Sequence, residues 1–154
     1  MRSNASRIAI DVVLSPHNLR VFVEIGMLVP LHVGAAGKIL LAWLPDIEQS
    51  ELIMASAAHY DDHPVGDIQA LKLELTRIRE AGWATSEGER EMGLSAIAAP
   101  IFNVNKEVVA AIALVAPTVR IGAEEQEKYV PLVCEAARRT SFDMGYTVDG
   151  VPLR

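Results

Sequence analysis

At 154 residues, with 51% hydrophobic and 22% charged residues, the chain has the length and balance of one globular domain with a sizeable core. A formal net charge of -6 and 5% aromatic residues argue against direct contact with nucleic acid, which asks for basic surface and, on single strands, stacking rings. The lone cysteine, Cys134, excludes an intrachain disulfide, no apolar run approaches the ~20 residues of a membrane span, and residues 1–6 hold no apolar signal core, so a soluble cytoplasmic protein with no membrane partner is the simplest class.

Residues 7–14 read as a strand, with Ile8, Ile10, Val12 and Leu14 alternating with Ala9, Asp11 and Val13. Ser15, Pro16, His17 and Asn18 form a turn cluster, and residues 19–25 alternate again through Val21, Val23 and Ile25, so the two runs predict a hairpin. Residues 35–44 predict a helix stopped by Pro45, and residues 46–57 a second one. After a polar loop at 59–66, Asp67 stands where an N-cap belongs, and Ile68, Leu71, Leu75 and Ile78 recur at helical spacing up to Gly82. Residues 83–86 predict a short strand. Residues 95–102 and 107–115 predict two apolar strands joined by Asn103-Val104-Asn105-Lys106. Residues 123–145 predict a last helix, in which Pro131 marks a kink or the true start. Strands linked by hairpins, with the helices in a block, make this an α+β chain: an antiparallel sheet with helices packed on it.

The stretch Gly34-Ala35-Ala36-Gly37-Lys38 opens straight into apolar sequence. Small residues there let the backbone approach closely, and the first helical turn offers unpaired N–H groups to an anion. The loop is not a nucleotide-phosphate motif, because two residues instead of four separate its glycines and Ile39 follows the lysine. Close helix packing explains the small residues as well, and Lys38 reads as solvated. His32 reads as a hydrogen-bonded structural residue. His59, Asp61, Asp62 and His63 are metal-ligand types, but their spacing in a loop carries little, and no metal or cofactor is expected. Glu87, Glu89, Arg90 and Glu91 read as a solvated charge run or as a lid between Trp83 and Ser95. Nothing near those glutamates supplies an acid–base partner, so no catalytic residue is assigned. Cys134, among Val130, Leu132 and Val133, reads as a small buried hydrophobe.

Several of these segments together resemble a known family. Residues 31–42, Leu31-His32 through Lys38-Ile39-Leu40-Leu41-Ala42, resemble the opening of the central helix in the effector-binding domain of IclR-family transcriptional regulators. Leu75-Thr76-Arg77-Ile78-Arg79-Glu80-Ala81-Gly82-Trp83-Ala84 resembles that family's helix-then-strand segment, and Glu87 to Glu91 followed by Gly93-Leu94 its acidic loop. Ile97-Ala98-Ala99-Pro100-Ile101-Phe102 and Val109-Ala110-Ala111-Ile112-Ala113 resemble its core hairpin.

The resemblance implies a GAF-like fold, a curved antiparallel sheet with helices packed on both faces and a small-molecule cavity on one side. It implies one effector-binding domain over residues 1–154, not an enzyme. Operator DNA would be reached through an upstream winged helix-turn-helix domain that this chain lacks. Family members usually carry a further helix and strand before the hairpin, so the chain reads as a fragment or as a sheet with an open edge. By position, the family's contacts fall on the backbone N–H groups of Ala35 and Ala36 for a ligand's acid group, and on Val21 and Val29 for a wall. Ser86, Leu94, Ala96, Ala113 and Val115 supply the remainder. Relatives that bind small polar carboxylates carry Asp, Cys or Ser at several of these positions, and here only Ser86 keeps a hydroxyl. The implied effector is therefore an aromatic or otherwise hydrophobic carboxylate. The implied assembly is a homodimer or a homotetramer built as a dimer of dimers, whose geometry the ligand shifts. Two other readings stand beside this one. A small GAF-like enzyme is one, although the related free-methionine-sulfoxide reductases need several reactive cysteines. A purely structural oligomerisation module is the other.

Overall fold

The computed structural model describes residues 1–148 and 151–152. Arg2–Ser3 (β1), Ser6–Ile8 (β2) and Leu28–Pro30 (β3) form one antiparallel sheet, and Ala84–Glu87 (β4), Leu94–Phe102 (β5) and Val108–Pro117 (β6) a second, in the orders β1-β2-β3 and β4-β5-β6. Gly34–Ala42 (α1), Asp46–His59 (α2) and Ile68–Ala81 (α3) connect the two sheets, and Ala123–Asp143 (α4) follows the second. Thr147–Val148 (β7) and Val151–Pro152 (β8) pair as a terminal hairpin with no counterpart in the sequence reading.

The second sheet is the centre of the molecule, and the period of two along β5 assigns its faces. Ala84 and Ala98 look toward α1, α2 and α3, where they join Leu31, Ile39, Leu41, Ile53 and Leu75 in one core. Ile97 and Ala99 look the other way and pack with Ile121, Val133 and Ala137 under α4. Helices therefore cover both faces of an antiparallel sheet, as the α+β reading expects. Fully burying each large aliphatic side chain in these layers is worth about 1.5–3 kcal/mol.

The helices keep close to their expected bounds because their signals are local. Asp67 Oδ1 accepts from Gln69 N–H at 2.8 Å and Ala70 N–H at 3.2 Å, and Gly82 closes α3 with a φ of 79°. The β5–β6 connection is held by Asn103, whose Oδ1 accepts from Asn105 and Glu107 N–H, while Lys106 takes a φ of 64°. Pro131 lies well inside α4, which starts at Ala123, so it does not mark the helix start.

The amino-terminal hairpin needs correcting. Residues 9–14 and 19–25 belong to no strand, and β2 pairs with β3, Arg7 opposite Val29, instead of with residues 19–25. The long arm between them is tied at its base, by Gly26 N–H to the Ala9 carbonyl and Ala9 N–H to the Met27 carbonyl. The physical reason is burial. An alternating run holds a ladder when a layer covers its apolar face, and this one is covered only in part: Val12, Val21 and Val23 are half-buried, but Ile10 is 54% exposed, Leu14 49% and Ile25 67%.

Candidate functional site at the α1 amino terminus

Helix α1 begins without local help. Val33 occupies its N-cap position, makes no capping bond, and no acidic residue stands in the first turn. Its leading N–H groups are satisfied from far along the chain instead. Gly34 N–H donates to Glu89 Oε2 at 2.8 Å, and Ala35 N–H donates to Ser86 Oγ at 3.0 Å. Among the described residues, no side chain accepts from the next amide, Ala36. The helix dipole favours the negative charge that Glu89 brings to this end.

Lys38, one turn on, completes the arrangement. Its side chain is 2% exposed, and Nζ donates to Glu89 Oε1 and to Glu74 Oε1, each at 2.6 Å. The expectation that Lys38 is solvated is overturned. Helix α1 is buried on nearly all sides, so a lysine inside it meets its counter-ions in the interior. The acidic run divides by its bonds: all three glutamates are exposed, but Glu89 reaches the helix through Gly34 N–H and Lys38.

Arg7, read from sequence only as the start of a strand, lies beneath the same turn. Its Nη1 donates to the Pro30 carbonyl at 3.1 Å and to the Val33 carbonyl. Burial, and next the repulsion of Arg90, pull its pKa down to about 10, against the opposing pull of Glu89 and Tyr60, so it stays charged at neutral pH. Gly34 holds a φ of 77° with the Arg7 guanidinium 3.4 Å from where a Cβ would stand. Gly37 admits no side chain at all, since a Cβ there would lie 2.1 Å from the Leu31 carbonyl oxygen. The small residues of the loop thus serve close packing, and they leave the helix terminus open to partners.

The expected site residues mostly converge. Ser86 pairs in register with Ala96, and Ala96 with Val115; one step along, Ala98 pairs with Ala113. Leu94 lies two residues from Ala96 on the same face. Ser86, Leu94, Ala96, Ala113 and Val115 therefore share the sheet face on which Ala35 and the α1 terminus rest, joined to it by the Ala35–Ser86 bond. Leu94, Ala96 and Val115 are half-buried and Ala113 is exposed, so the apolar part of this face is open at β6. Val29 is buried on β3, one residue before the carbonyl that anchors Arg7. Val21 is half-buried in the 9–27 arm, which is joined to the segment after β6 by Arg120, donating to the Leu19 carbonyl at 2.8 Å. A separate cleft of about 330 Å3, lined in part by Trp43, Arg79, Phe102, Cys134 and Tyr146, includes none of the expected residues.

The remaining candidates have structural roles. His32 Nε2 donates to the His63 carbonyl at 2.7 Å, which leaves Nδ1 to accept from the Ser56 hydroxyl at 2.8 Å; Ser56 Oγ in turn accepts from Leu31 N–H. His59 stacks edge-on against Tyr60, His63 stands 3.7 Å from Asp62, and no metal-holding group of three His, Cys, Asp or Glu occurs among the described residues. Cys134, on α4, is half-buried against the second core, and burial raises its thiol pKa. No helix among the described residues is long and apolar enough to cross a membrane.

His32 makes an acid-sensitivity test. Burial is the main cause holding it below the ordinary imidazole range. The unfolded chain then takes up the proton first, so stability is full above about pH 6.5 and is lost as the pH falls below it. Urea unfolding should show a lower midpoint at about pH 5.5 than at about pH 7.5, and His32→Gln should shrink that difference. An undiminished difference in the variant would assign the effect to other groups.

The family model described as "Bacterial transcriptional regulator IclR C-terminal" matches residues 1–142. The chain is 35% identical over 133 residues to the HTH-type transcriptional regulator KdgR of Dickeya chrysanthemi, covering 86% of this chain and 44% of that protein. It is 30% identical over 146 residues to the transcriptional repressor IclR of Escherichia coli K12, covering 94% and 53%. Among solved structures it resembles Pseudomonas aeruginosa HmgR with a TM-score of 0.81 and 28% identity, over 97% of this chain and 58% of that one. The chain spans about half the length of these curated relatives. A match that runs from β1 into α4 places the chain in the IclR family of bacterial transcriptional regulators, as a C-terminal domain.

Proposed function

We propose that this domain binds a carboxylate effector, aromatic or otherwise hydrophobic, on the sheet face beneath the α1 amino terminus. Occupancy then shifts the geometry of a homodimer or homotetramer and so the spacing of DNA-binding domains joined to it. The observation that carries the reading is the row Ser86–Ala96–Val115, with Ala113 beside it. One end of the row, Ser86, meets the helix amide of Ala35, with that of Ala36 next along, and the other is apolar and open. The polar end suits an acid group. The alanine and valine surface suits a ring, at about 25 cal/mol per Å2 buried, whereas each unmet polar group of a small hydroxy- or keto-acid costs about 1–3 kcal/mol. No catalytic role is assigned, and the proposed setting is the cytoplasm.

Calorimetric titration tests the class of effector. Benzoate should bind at least about tenfold more tightly than pyruvate or glyoxylate, and Ala36→Leu should abolish its binding in a domain that still unfolds cooperatively, at a lower melting temperature because Ala36 packs against the core. Tighter binding of the small polar acids would overturn the apolar-wall argument, and no binding of any of these acids would favour a structural oligomerisation module.

A further inference from the structure

We propose that Glu89 is a resident carboxylate seated where the effector's acid group belongs, and that an acid effector enters by exchanging with it. The proposal rests on the reading above that the acid group is received at the start of α1.

The seat is built as it would be for a free carboxylate. One Glu89 oxygen takes the Gly34 N–H at 2.8 Å, and the other takes the buried Lys38 ammonium at 2.6 Å. Both are charge-favoured contacts, one at a helix terminus and one to a cation. The side chain is nonetheless 35% exposed, so it sits at a mouth and is not sealed in. It hangs on a short loop between Gly88 and Gly93, which hold φ angles of 67° and 83°. Gly88 N–H bonds to the Leu94 carbonyl across the loop base, so the loop can open at its tip without breaking the β4–β5 ladder.

Exchange conserves charge at the buried end. An incoming carboxylate takes over Gly34 N–H and Lys38, Glu74 keeps its place on Lys38, and Glu89 passes into water. A neutral ligand that displaced Glu89 would strip the buried ammonium of one of its two counter-ions, a loss the site resists. Glu89 thus selects for acids and lowers their apparent affinity by the fraction of time it holds the seat. Because the acid and Glu89 cannot share that seat, occupancy also frees the 88–92 tip, which gives ligand binding a moving part to act on.

The test compares Glu89→Ala and Glu89→Gln with Glu87→Ala, which removes the same charge from an exposed position at the end of β4, two residues away. Melting is followed in sodium acetate and in sodium chloride at equal ionic strength. Glu89→Ala should melt below wild type, and acetate, unlike chloride, should restore several degrees in a saturable manner; wild type and Glu87→Ala should respond equally to the two salts. If acetate and chloride act alike on Glu89→Ala, no free carboxylate enters the seat and the proposal falls. Calorimetry with benzoate gives the second readout. Glu89→Ala should bind it about tenfold or more tightly than wild type, and Glu89→Gln, which keeps an acceptor for Gly34 but loosens Lys38, several-fold more tightly. Equal or weaker benzoate affinity in both Glu89 variants overturns the exchange. Acetate rescue of Glu89→Ala without benzoate binding to any protein upholds the resident carboxylate and rejects the aromatic effector instead.

Discussion

A Gly37→Ala protein should lose about 3 kcal/mol or more of unfolding free energy, a large fraction of what a domain of this size holds. The added Cβ would lie 2.1 Å from the Leu31 carbonyl oxygen, 2.9 Å from its carbon and 2.7 Å from Arg7 Nη1. The guanidinium can swing, but the Leu31 backbone cannot: Leu31 is fully buried, and its N–H is fixed to Ser56. Relief therefore requires α1 to lift from the Leu31 segment that leads into it. That movement would loosen Ile39, Leu41 and the amides seated on Glu89 and Ser86 together. Gly66 is the control, because a Cβ there meets nothing within 4 Å; Gly66→Ala should be neutral or gain about 0.5 kcal/mol through the unfolded chain. Urea unfolding of the two variants checks the pair. A loss below about 1 kcal/mol for Gly37→Ala would show that the helix gives way easily and that its close approach is not fixed.

What the sequence makes legible follows how far apart the interacting groups lie. Asp67, the spacing of Leu71, Leu75 and Ile78, and Gly82 all act within one helix, so α3 is readable from its own residues. The β5–β6 connection is readable for the same reason, since Asn103 bonds to Asn105 and Glu107 beside it. The row of site residues comes from family position, and the strand register then sets Ser86, Ala96 and Val115 side by side. The polar end is different. Arg7 meets a carbonyl 26 residues away and Glu89 meets Lys38 across 51, and no local pattern announces either pairing. One signal was available for Lys38. Residues 34–42 are apolar all round the helix, and such a helix is buried, so its single lysine has to find counter-ions inside. The error at residues 7–25 is the converse. Their alternation satisfies the strand pattern, yet the face it defines is left half open at Ile10, Leu14 and Ile25, and periodicity without a full covering layer does not make a ladder.

A Lys38→Met protein should fold but lose about 2 kcal/mol near neutral pH, and it should recover part of that loss on acidification. Methionine matches the aliphatic stem and keeps the packing, so the change isolates the charge. Glu74 and Glu89 both stand 2.6 Å from the nitrogen that is removed. Left without it, two carboxylates within about 5 Å repel by about 3 kcal/mol at an effective dielectric near 20. Their side chains are 43% and 35% exposed, so both can turn toward water, and screening trims the repulsion to the smaller figure. Protonating either carboxylate removes the repulsion, so the variant should grow more stable relative to wild type as the pH falls from about 7.5 to about 5.5. Wild type loses stability over that range, because His32 resists the proton that the unfolded chain accepts. The variant keeps His32 and shares that loss, so its shallower slope, set against that of wild type, separates loss of the ion pair from mere loss of packing. Denaturant midpoints for both proteins at the two pH values decide the matter. Parallel slopes would mean that Lys38 contributes only its stem and that the carboxylates were never held together by its charge.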